Sequence, residues 1–151
     1  LSTLRAMLGR FSCNGGDRPL DTEIEHLARH KEAIDFAIRN LWGARVRGVG
    51  SAVTCAVVAR AWYSVDAERL ERFCEVLRTG MARGDDEAVI ILLRDFLGGR
   101  DRSRSRNRVR DQYGKVERAL HAFIHGKDLS VLRAGAVELF GLPGEREQAR
   151  L

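Results

Sequence analysis

Residues 51–63 read SAVTCAVVARAWY, and Arg60 carries the only formal charge in this stretch. Ser51 is a residue type that favours the N-cap position, and the run is too long for a typical strand. A helix that is apolar on nearly every side has to be surrounded by other elements. We therefore expect this stretch to be the central helix of an all-helical domain, with amphipathic helices packed around it.

The chain has 151 residues, which suits one domain whose core needs neither a metal nor disulfide bonds. Its longest uninterrupted apolar run is the six residues 88–93, which is too short for a transmembrane helix. The three cysteines, Cys13, Cys55 and Cys74, form no CxxC motif, and the last two fall on apolar helical faces. We therefore expect buried, reduced thiols in a cytoplasmic protein that does not contact a membrane.

Two helices are expected before the central one. A short first helix runs into the loop SCNGGDRPL, and Thr22 and Glu25 then form a capping-box pattern. One helix to about Trp42 and two helices with a kink both fit the segment that follows. Its apolar stripe consists of Ile24, Leu27, Ile34, Ala37, Ile38 and Leu41.

Further helices are expected after the central one. Asp66 is expected to cap a helix that ends at Gly80, with Leu70, Phe73, Cys74 and Leu77 facing inward. Asp85 and Asp86 are expected to start the next helix, which Gly98 and Gly99 stop. Its run AVIILL could pass for a buried strand, but no second strand candidate exists to pair with it. A last long helix ends at Gly126, and an extended arm or a short helix follows.

These patterns predict an all-α fold, a single-domain orthogonal bundle of about six helices with a C-terminal arm. We expect five parts: a short N-terminal helix and loop at residues 1–20, a helical core at 21–99, an arginine-rich linker at 100–110, the last long helix and arm at 111–142, and a disordered tail at 143–151.

The segment RDRSRSRNRVR at residues 100–110 has arginine at every second position. Its six arginines and one aspartate give +5, the formal net charge of the whole chain, so the remainder is neutral. Cations at the start of a helix are disfavoured by roughly 0.3–1 kcal/mol each. An anionic partner would make the placement favourable, because guanidinium groups and helix N-termini both suit phosphate oxygens. The alternative is a solvated linker whose charges prevent aggregation.

We therefore expect this segment, with two arginines of an earlier loop, to contact the phosphates of nucleic acid. Contacts to the backbone are expected rather than base-specific reading, since such side chains can bind phosphate without reading sequence. The expected binding residues are Arg100, Arg102, Arg104, Arg106, Arg108, Arg110, Arg45 and Arg47.

The four histidines form two pairs at i,i+4 spacing, His26 with His30 and His121 with His125. This spacing places two rings on one face of a helix, where they could share a metal ion. Because the HExxH motif is absent, we interpret them as partly exposed histidines of helix surfaces. No metal site and no cofactor are predicted.

No catalytic residues are predicted, because no serine has a histidine and an acid at motif spacing. We expect Trp42 and Trp62 to be core residues, although they could stack on bases. The central helix and the helix after it resemble a helix-turn-helix, but the outward side chains of the second helix mix both charges. Those side chains are Glu68, Arg69, Glu71, Arg72 and Glu75.

The order of helices over residues 20–142 resembles the helical region that follows the ParB-like domain in certain phage and actinobacterial proteins. The phrases that carry the resemblance are HKEAIDFAIRNL, AVVARAWYSVDAERLERFCEVLRTG, LLRDFL and KVERALHAFIHGKDLSVLRAGAVELF. The arginine-containing phosphate motif of the ParB-like domain has no counterpart here. The resemblance implies the C-terminal part of a DNA-associated protein, and a start at Leu1 fits either that or a processed N-terminus.

The sequence therefore predicts a non-catalytic accessory domain of a DNA-associated phage or mobile-element protein. The expected partners are DNA, held through its backbone, and either a second copy of the chain or an upstream ParB-like domain. The alternative is a protein-interaction or assembly module without nucleic-acid contact. A small hydrolase that uses the histidine pairs would need a divalent metal.

Overall fold

The central apolar stretch forms helix α3, Ala52–Ala61, in a computed structural model that describes residues 2–9, 20–99, 108–127, 129, 131–132 and 139–142. Ser51 has an extended backbone, and its side chain accepts a hydrogen bond from the amide of Thr54 at 3.4 Å. All eight residues from Thr54 to the end of α3 are buried. The predicted N-cap and the predicted central helix are both confirmed.

The segment before α3 forms one continuous helix, α2, at Leu20–Leu41. The helix begins two residues before Thr22, so the predicted capping box at Thr22 and Glu25 is wrong. Two residues of the predicted inward stripe, Ile24 and Ile38, are exposed. The other four members of the stripe face inward as predicted, since Ile34, Ala37 and Leu41 are buried and Leu27 is partly buried against the core. The buried face also includes His30, Ala33 and Phe36.

A short first helix and the C-terminal arm cover other sides of α3. Helix α1, Ser2–Gly9, packs against α3 and buries Leu4 and Met7. Phe140 and Leu142 of the arm are buried in the same core, which supports the expectation that this segment packs over the bundle. Cys13 lies outside the described residues, whereas Cys55 and Cys74 are buried free thiols, as predicted. Burial raises the pKa of the Cys55 thiol to about 11.

Helix α4, Ala67–Thr79, buries the predicted residues Leu70, Phe73, Cys74 and Leu77. Asp66 takes the N-cap position, but its side chain makes no capping hydrogen bond. Gly80 ends the helix with φ +75°, a left-handed conformation that glycine adopts without steric penalty. The predicted C-terminus of α4 is confirmed.

The AVIILL run lies in helix α5, Ala88–Gly98, and the described residues include no strand. A short 3-10 helix, Asp85–Glu87, precedes it. Gly99 takes the C-cap position, as predicted. No helix in the described part of the chain has the length and apolar composition needed to cross a membrane.

The last helix, α6, is Arg108–Ile124, and it packs against α3 and α5. It begins inside the segment expected to be an arginine-rich linker, of which residues 100–107 lie outside the described part, as does the expected tail. At the other end, Gly126 has φ +65°, and the amide of Lys127 donates to the Ala122 carbonyl at 2.9 Å. The predicted end of the helix at Gly126 is confirmed.

Two charged side chains join distant parts of the fold. Arg60 of α3 is fully buried; its Nε donates to the Phe140 carbonyl and its Nη1 to the Met7 carbonyl, both at 2.8 Å. Arg72 of α4 donates to both carboxylate oxygens of Glu87, at 2.5 and 2.8 Å. Glu87 also accepts from the Arg83 amide at 2.7 Å. The predicted helix start at Asp85 and Asp86 is confirmed, because the 3-10 helix begins at Asp85 and continues into α5, although neither helix has a side-chain capping hydrogen bond. Glu87 contributes a buried ion pair.

We predict that Arg60→Met lowers the free energy of unfolding by about 2–4 kcal/mol, because two buried carbonyls lose charged donors. Urea denaturation measures the change. Arg29→Met, at an exposed position of α2, is the matched control and should stay within about 0.5 kcal/mol of the parent chain. An Arg60→Met variant as stable as the control would contradict the role of Arg60.

We predict that Glu87→Gln lowers the free energy of unfolding by about 1 kcal/mol at neutral pH. The hydrogen bond from Arg72 lowers the pKa of Glu87, so the stabilisation is present above the unfolded-state pKa of about 4.3. It is lost as the pH falls through the lower folded-state pKa. The difference between the parent and Glu87→Gln should therefore shrink in acid, whereas Glu71→Gln, at an exposed position in the middle of α4, should have little effect at any pH. A pH-independent difference would refute the ion-pair argument.

Candidate nucleic-acid interface

The loop at residues 42–50 joins α2 to α3 and carries two of the predicted phosphate-binding arginines. Arg45 and Arg47 are exposed, whereas Val46 between them is partly buried against the core. The loop is closed by hydrogen bonds from the Val49 amide to the Val46 carbonyl at 3.2 Å and from the Ser51 amide to Gly48 at 3.4 Å. The alternation around Val46 directs both guanidinium groups towards solvent.

The C-terminal end of α5 packs directly on this loop. A Cβ placed on Gly48 would lie 3.0 Å from Cβ and 3.1 Å from the carbonyl oxygen of Leu97. A Cβ on Gly98 would lie 3.2 Å from Val46 Cγ1. Both approaches are closer than an ordinary van der Waals contact, so the end of α5 is packed tightly against the base of the arginine loop.

The first turns of α6 are fastened to the same loop by Gln112. Its Nε2 donates to Ser51 Oγ at 2.8 Å and also lies 3.4 Å from the Gly48 carbonyl and from Thr54 Oγ1. Thr54 Oγ1 in turn donates to the Gly48 carbonyl at 2.8 Å. The starts of α3 and α6 therefore meet at the loop.

We call this region the basic end, defined by the loop at residues 42–50, the end of α5 and the first turn of α6. It includes Gly99 and Arg108, the described residues on either side of residues 100–107. Arg110 is exposed in the first turn of α6. Within the described parts of the chain, no carboxylate forms an ion pair with Arg45, Arg47 or Arg110.

The remaining predicted binding residues are only partly placed. Arg108 begins α6, and Arg100, Arg102, Arg104 and Arg106 lie outside the described residues. The nearest acidic group along α6 is Asp111, which pairs with Lys115 at 3.3 Å. The Lys115 ammonium also lies 3.8 Å from the centre of the Phe96 ring. The negative charge of the first turn is thus partly offset by a neighbouring lysine.

The first histidine pair is not a surface pair as predicted. His30 is buried, and its Nδ1 is 2.5 Å from the hydroxyl of Tyr63. The His26 ring stacks on it with a centroid distance of 6.4 Å. His30 is buried because the turn after α3 brings Tyr63 onto the inner face of α2, a contact that spacing within one helix does not indicate.

The second histidine pair lies at the C-terminal end of α6. The rings of His121 and His125 have centroids 4.2 Å apart, and partial burial together with the neighbouring His125 lowers the pKa of His121. His125 is exposed and His121 half-buried, so this pair is at the surface as predicted. Among the described residues, no group of three or more metal-ligating side chains occurs.

The two tryptophans differ in how far they are buried. Trp62 is partly buried and packs against the core, in accord with the prediction. Trp42 is 77% exposed, so its prediction as a core residue is wrong. It follows the last residue of α2, where the chain turns through Gly43 at φ +77°, and this turn leaves the indole outside the bundle.

The helix-turn-helix interpretation of α3 and α4 is not favoured by the side chains of α4. Arg69 donates to the Phe123 carbonyl at 2.9 Å, and its guanidinium lies 5.0 Å from the Phe123 ring centre. Arg72 is held by Glu87. Both arginines, which the sequence suggested were outward, therefore contact the protein itself and leave the exposed side of α4 largely acidic.

No family model matches the chain, and no curated protein or solved structure is significantly similar to it. The resemblance to the helical region after ParB-like domains therefore stays a prediction.

Sequence reasoning did not identify the residues that build the basic end. Gln112 precedes an inward tyrosine and has no motif around it, and its partners are about 60 positions earlier in the chain. Gly48 offered one signal, since a glycine within a short glycine-rich loop often marks close backbone approach. The grouping of Arg45 and Arg47 with residues 100–110 was a prediction from charge, and the geometry of the flanking residues supports it.

We predict that Gly48→Ala lowers the free energy of unfolding by about 1–3 kcal/mol, because the added methyl group overlaps Leu97. Gly50→Ala is the matched control two positions away, where the nearest atom to the new Cβ is 3.6 Å distant. It should be neutral or stabilise by about 0.4–1 kcal/mol. Chemical denaturation of both variants measures the difference, and equal stabilities would show that α5 is not tightly seated on the loop.

Proposed function

We propose that this chain is a non-catalytic helical accessory domain that binds the phosphates of nucleic acid. Its binding surface comprises the arginine segment at residues 100–110 together with Arg45 and Arg47. One observation carries the proposal: Gln112 of α6 binds the loop at Gly48 and Ser51, and this contact lies within a few residues of exposed Arg45 and Arg47 on one side and of exposed Arg110 on the other.

The electrostatics of the basic end favour a polyanion. The N-terminal ends of α3 and α6 both point their partial positive charge into this region. The exposed arginines there are not paired within the described residues, so phosphates would add attraction without first displacing a carboxylate. Arginine forks bind phosphate oxygens in bidentate fashion, and counterion release makes such binding strongly dependent on salt.

The wider context of the proposal comes from the sequence. We infer an orthogonal arrangement of about six helices with a C-terminal arm, as part of a DNA-associated phage or mobile-element protein with a ParB-like domain upstream. A cytoplasmic location fits reduced Cys55 and Cys74. The proposed function uses no cofactor.

The second candidate is a protein-interaction or assembly module without nucleic-acid contact. The observation that favours it is the exposed apolar side chains of Ile38 on α2 and of Trp42 directly after this helix. In that case the arginine segment would dock on an acidic protein surface or link two helices.

The test compares DNA affinity at several salt concentrations for variants that remove two or three positive charges, with a control that removes two. Arg45→Ser with Arg47→Ser should weaken binding and reduce the slope of log K against log salt by about 2. Arg104→Ser with Arg106→Ser and Arg108→Ser should reduce it by up to about 3. The control, Arg29→Ser with Lys127→Ser, removes two exposed charges away from the basic end and should leave the slope nearly unchanged.

Unchanged affinity and slope in both arginine variants would rule out the phosphate-binding role. Equal losses in the control would show that net charge, and not the basic end, governs binding. A parent chain that does not bind DNA in low salt would favour the protein-interaction module.

A further inference from the structure

The solvent face of α2 carries an ordered stripe that the fold does not cover. Its members are exposed side chains at successive spacings of 4, 3, 4, 3 and 4 residues, the heptad spacing of a helix-pairing seam. They are Ile24, Ala28, Lys31, Asp35, Ile38 and Trp42. We call this set the α2 stripe. Ile24 is 54% exposed, Ile38 41% and Trp42 77%, so both ends of the stripe are apolar.

The order of spacings in the α2 stripe, 4, 3, 4, 3 and 4 residues, is the same from either end of the helix. If two copies of α2 pair antiparallel about residue 33, Ile24 of one copy meets Trp42 of the other. Ala28 then meets Ile38, so a small residue faces a large one. At the centre Lys31 meets Asp35. Heptad positions a and d face each other in this way in antiparallel helix pairs with left-handed crossing.

The charges along the stripe match the same register. Lys31 and Asp35 form an exposed pair within one chain, 3.6 Å apart, with side chains 73% and 58% accessible. Across a two-fold axis, two such pairs would form a ring of four alternating charges. On the exposed rim, Glu25 of one copy would face Arg39 of the other. A two-fold contact requires this kind of self-complementarity.

We propose that two copies of this chain associate through an antiparallel pairing of their α2 stripes. This inference is independent of the proposed nucleic-acid function. A base-stacking role for Trp42 beside Arg45 and Arg47 would explain one exposed residue. It would not explain Ile24, which lies 18 residues and roughly 27 Å away along the helix.

The first experiment measures the monomer–dimer equilibrium by sedimentation as a function of protein concentration. Ile24→Ala and Trp42→Ala should each raise the dimer dissociation constant at least about tenfold. Met81→Ala removes another exposed apolar side chain, 74% accessible and outside α2, and should leave the constant unchanged. A parent chain that stays monomeric up to millimolar concentration, or a dimer indifferent to Ile24→Ala, overturns the proposal.

The second experiment tests the register by disulfide cross-linking in a Cys13→Ser background. Buried Cys55 and Cys74, whose thiol pKa values are raised by burial, should not react. Mixed Ala28→Cys and Ile38→Cys chains should cross-link to each other much faster than either chain does alone. Equal or faster self-linking of the Ala28→Cys chain would indicate parallel pairing and overturn the antiparallel register.

A substitution at Glu32 also tests the antiparallel register. Glu32 lies beside the α2 stripe, on the exposed rim of the proposed helix pair, and would face Glu32 of the second copy. Glu32→Gln should therefore lower the dimer dissociation constant by about twofold or more, whereas Glu68→Gln on α4 should not change it. A dimer weakened by Glu32→Gln would contradict the register. Every described position changed in these experiments is exposed, and circular dichroism of each variant checks that the helices are retained.

Discussion

The burial of α3 on every side is the constraint on which the rest of the structure depends. A helix with eight consecutive buried residues needs neighbours around its whole circumference, and α1, α2 and α6 supply them. The same burial forces the guanidinium of Arg60 to find acceptors inside the protein, because an unpaired buried charge is strongly unfavourable. It finds carbonyls of α1 and of the C-terminal arm, so one charged residue fixes both termini of the described fold to the core.

The residues at the start of α3 also hold the basic end together. Ser51 and Thr54 close the first turn and also accept hydrogen bonds from Gln112 of α6. Gly48, one turn earlier, allows the end of α5 to approach. The two helices that flank the arginine segment are thereby held next to the loop of Arg45 and Arg47. The contacts that hold this region together are made by neutral residues.

Local features of this fold could be predicted from the sequence, whereas contacts between distant residues could not. Ser51, Gly80, Gly99 and Gly126 mark helix ends through backbone rules that act within a few residues. Arg72 and Glu87 are 15 residues apart, and neither is marked by a motif. Their ion pair exists because α4 and α5 pack together, which periodicity alone does not reveal.

The inward face of α2 is a second feature that the sequence alone could not decide. Its apolar residues belong to two faces, and the sequence assigned Ile24 and Ile38 to the inner one because they share an approximate helical period with Ile34. Only the packing of α3 and α4 against α2 decides which face is inward. The misassigned residues are the ones left on the α2 stripe. In the candidate site, the arginines could be predicted from charge alone. The neutral residues around them could not, because their contacts depend on tertiary structure.

The two proposed surfaces are linked by the position of Trp42. This residue ends the α2 stripe, and the loop that carries Arg45 and Arg47 begins there. Antiparallel pairing would place the two copies of Trp42 about 18 helical residues apart, which is roughly 27 Å along the axis. One basic end would then lie at each end of the paired helices, a separation on the order of one turn of B-DNA, about 34 Å. A dimer of this geometry could contact one duplex at two backbone sites, and the length of α2 would set the distance between them.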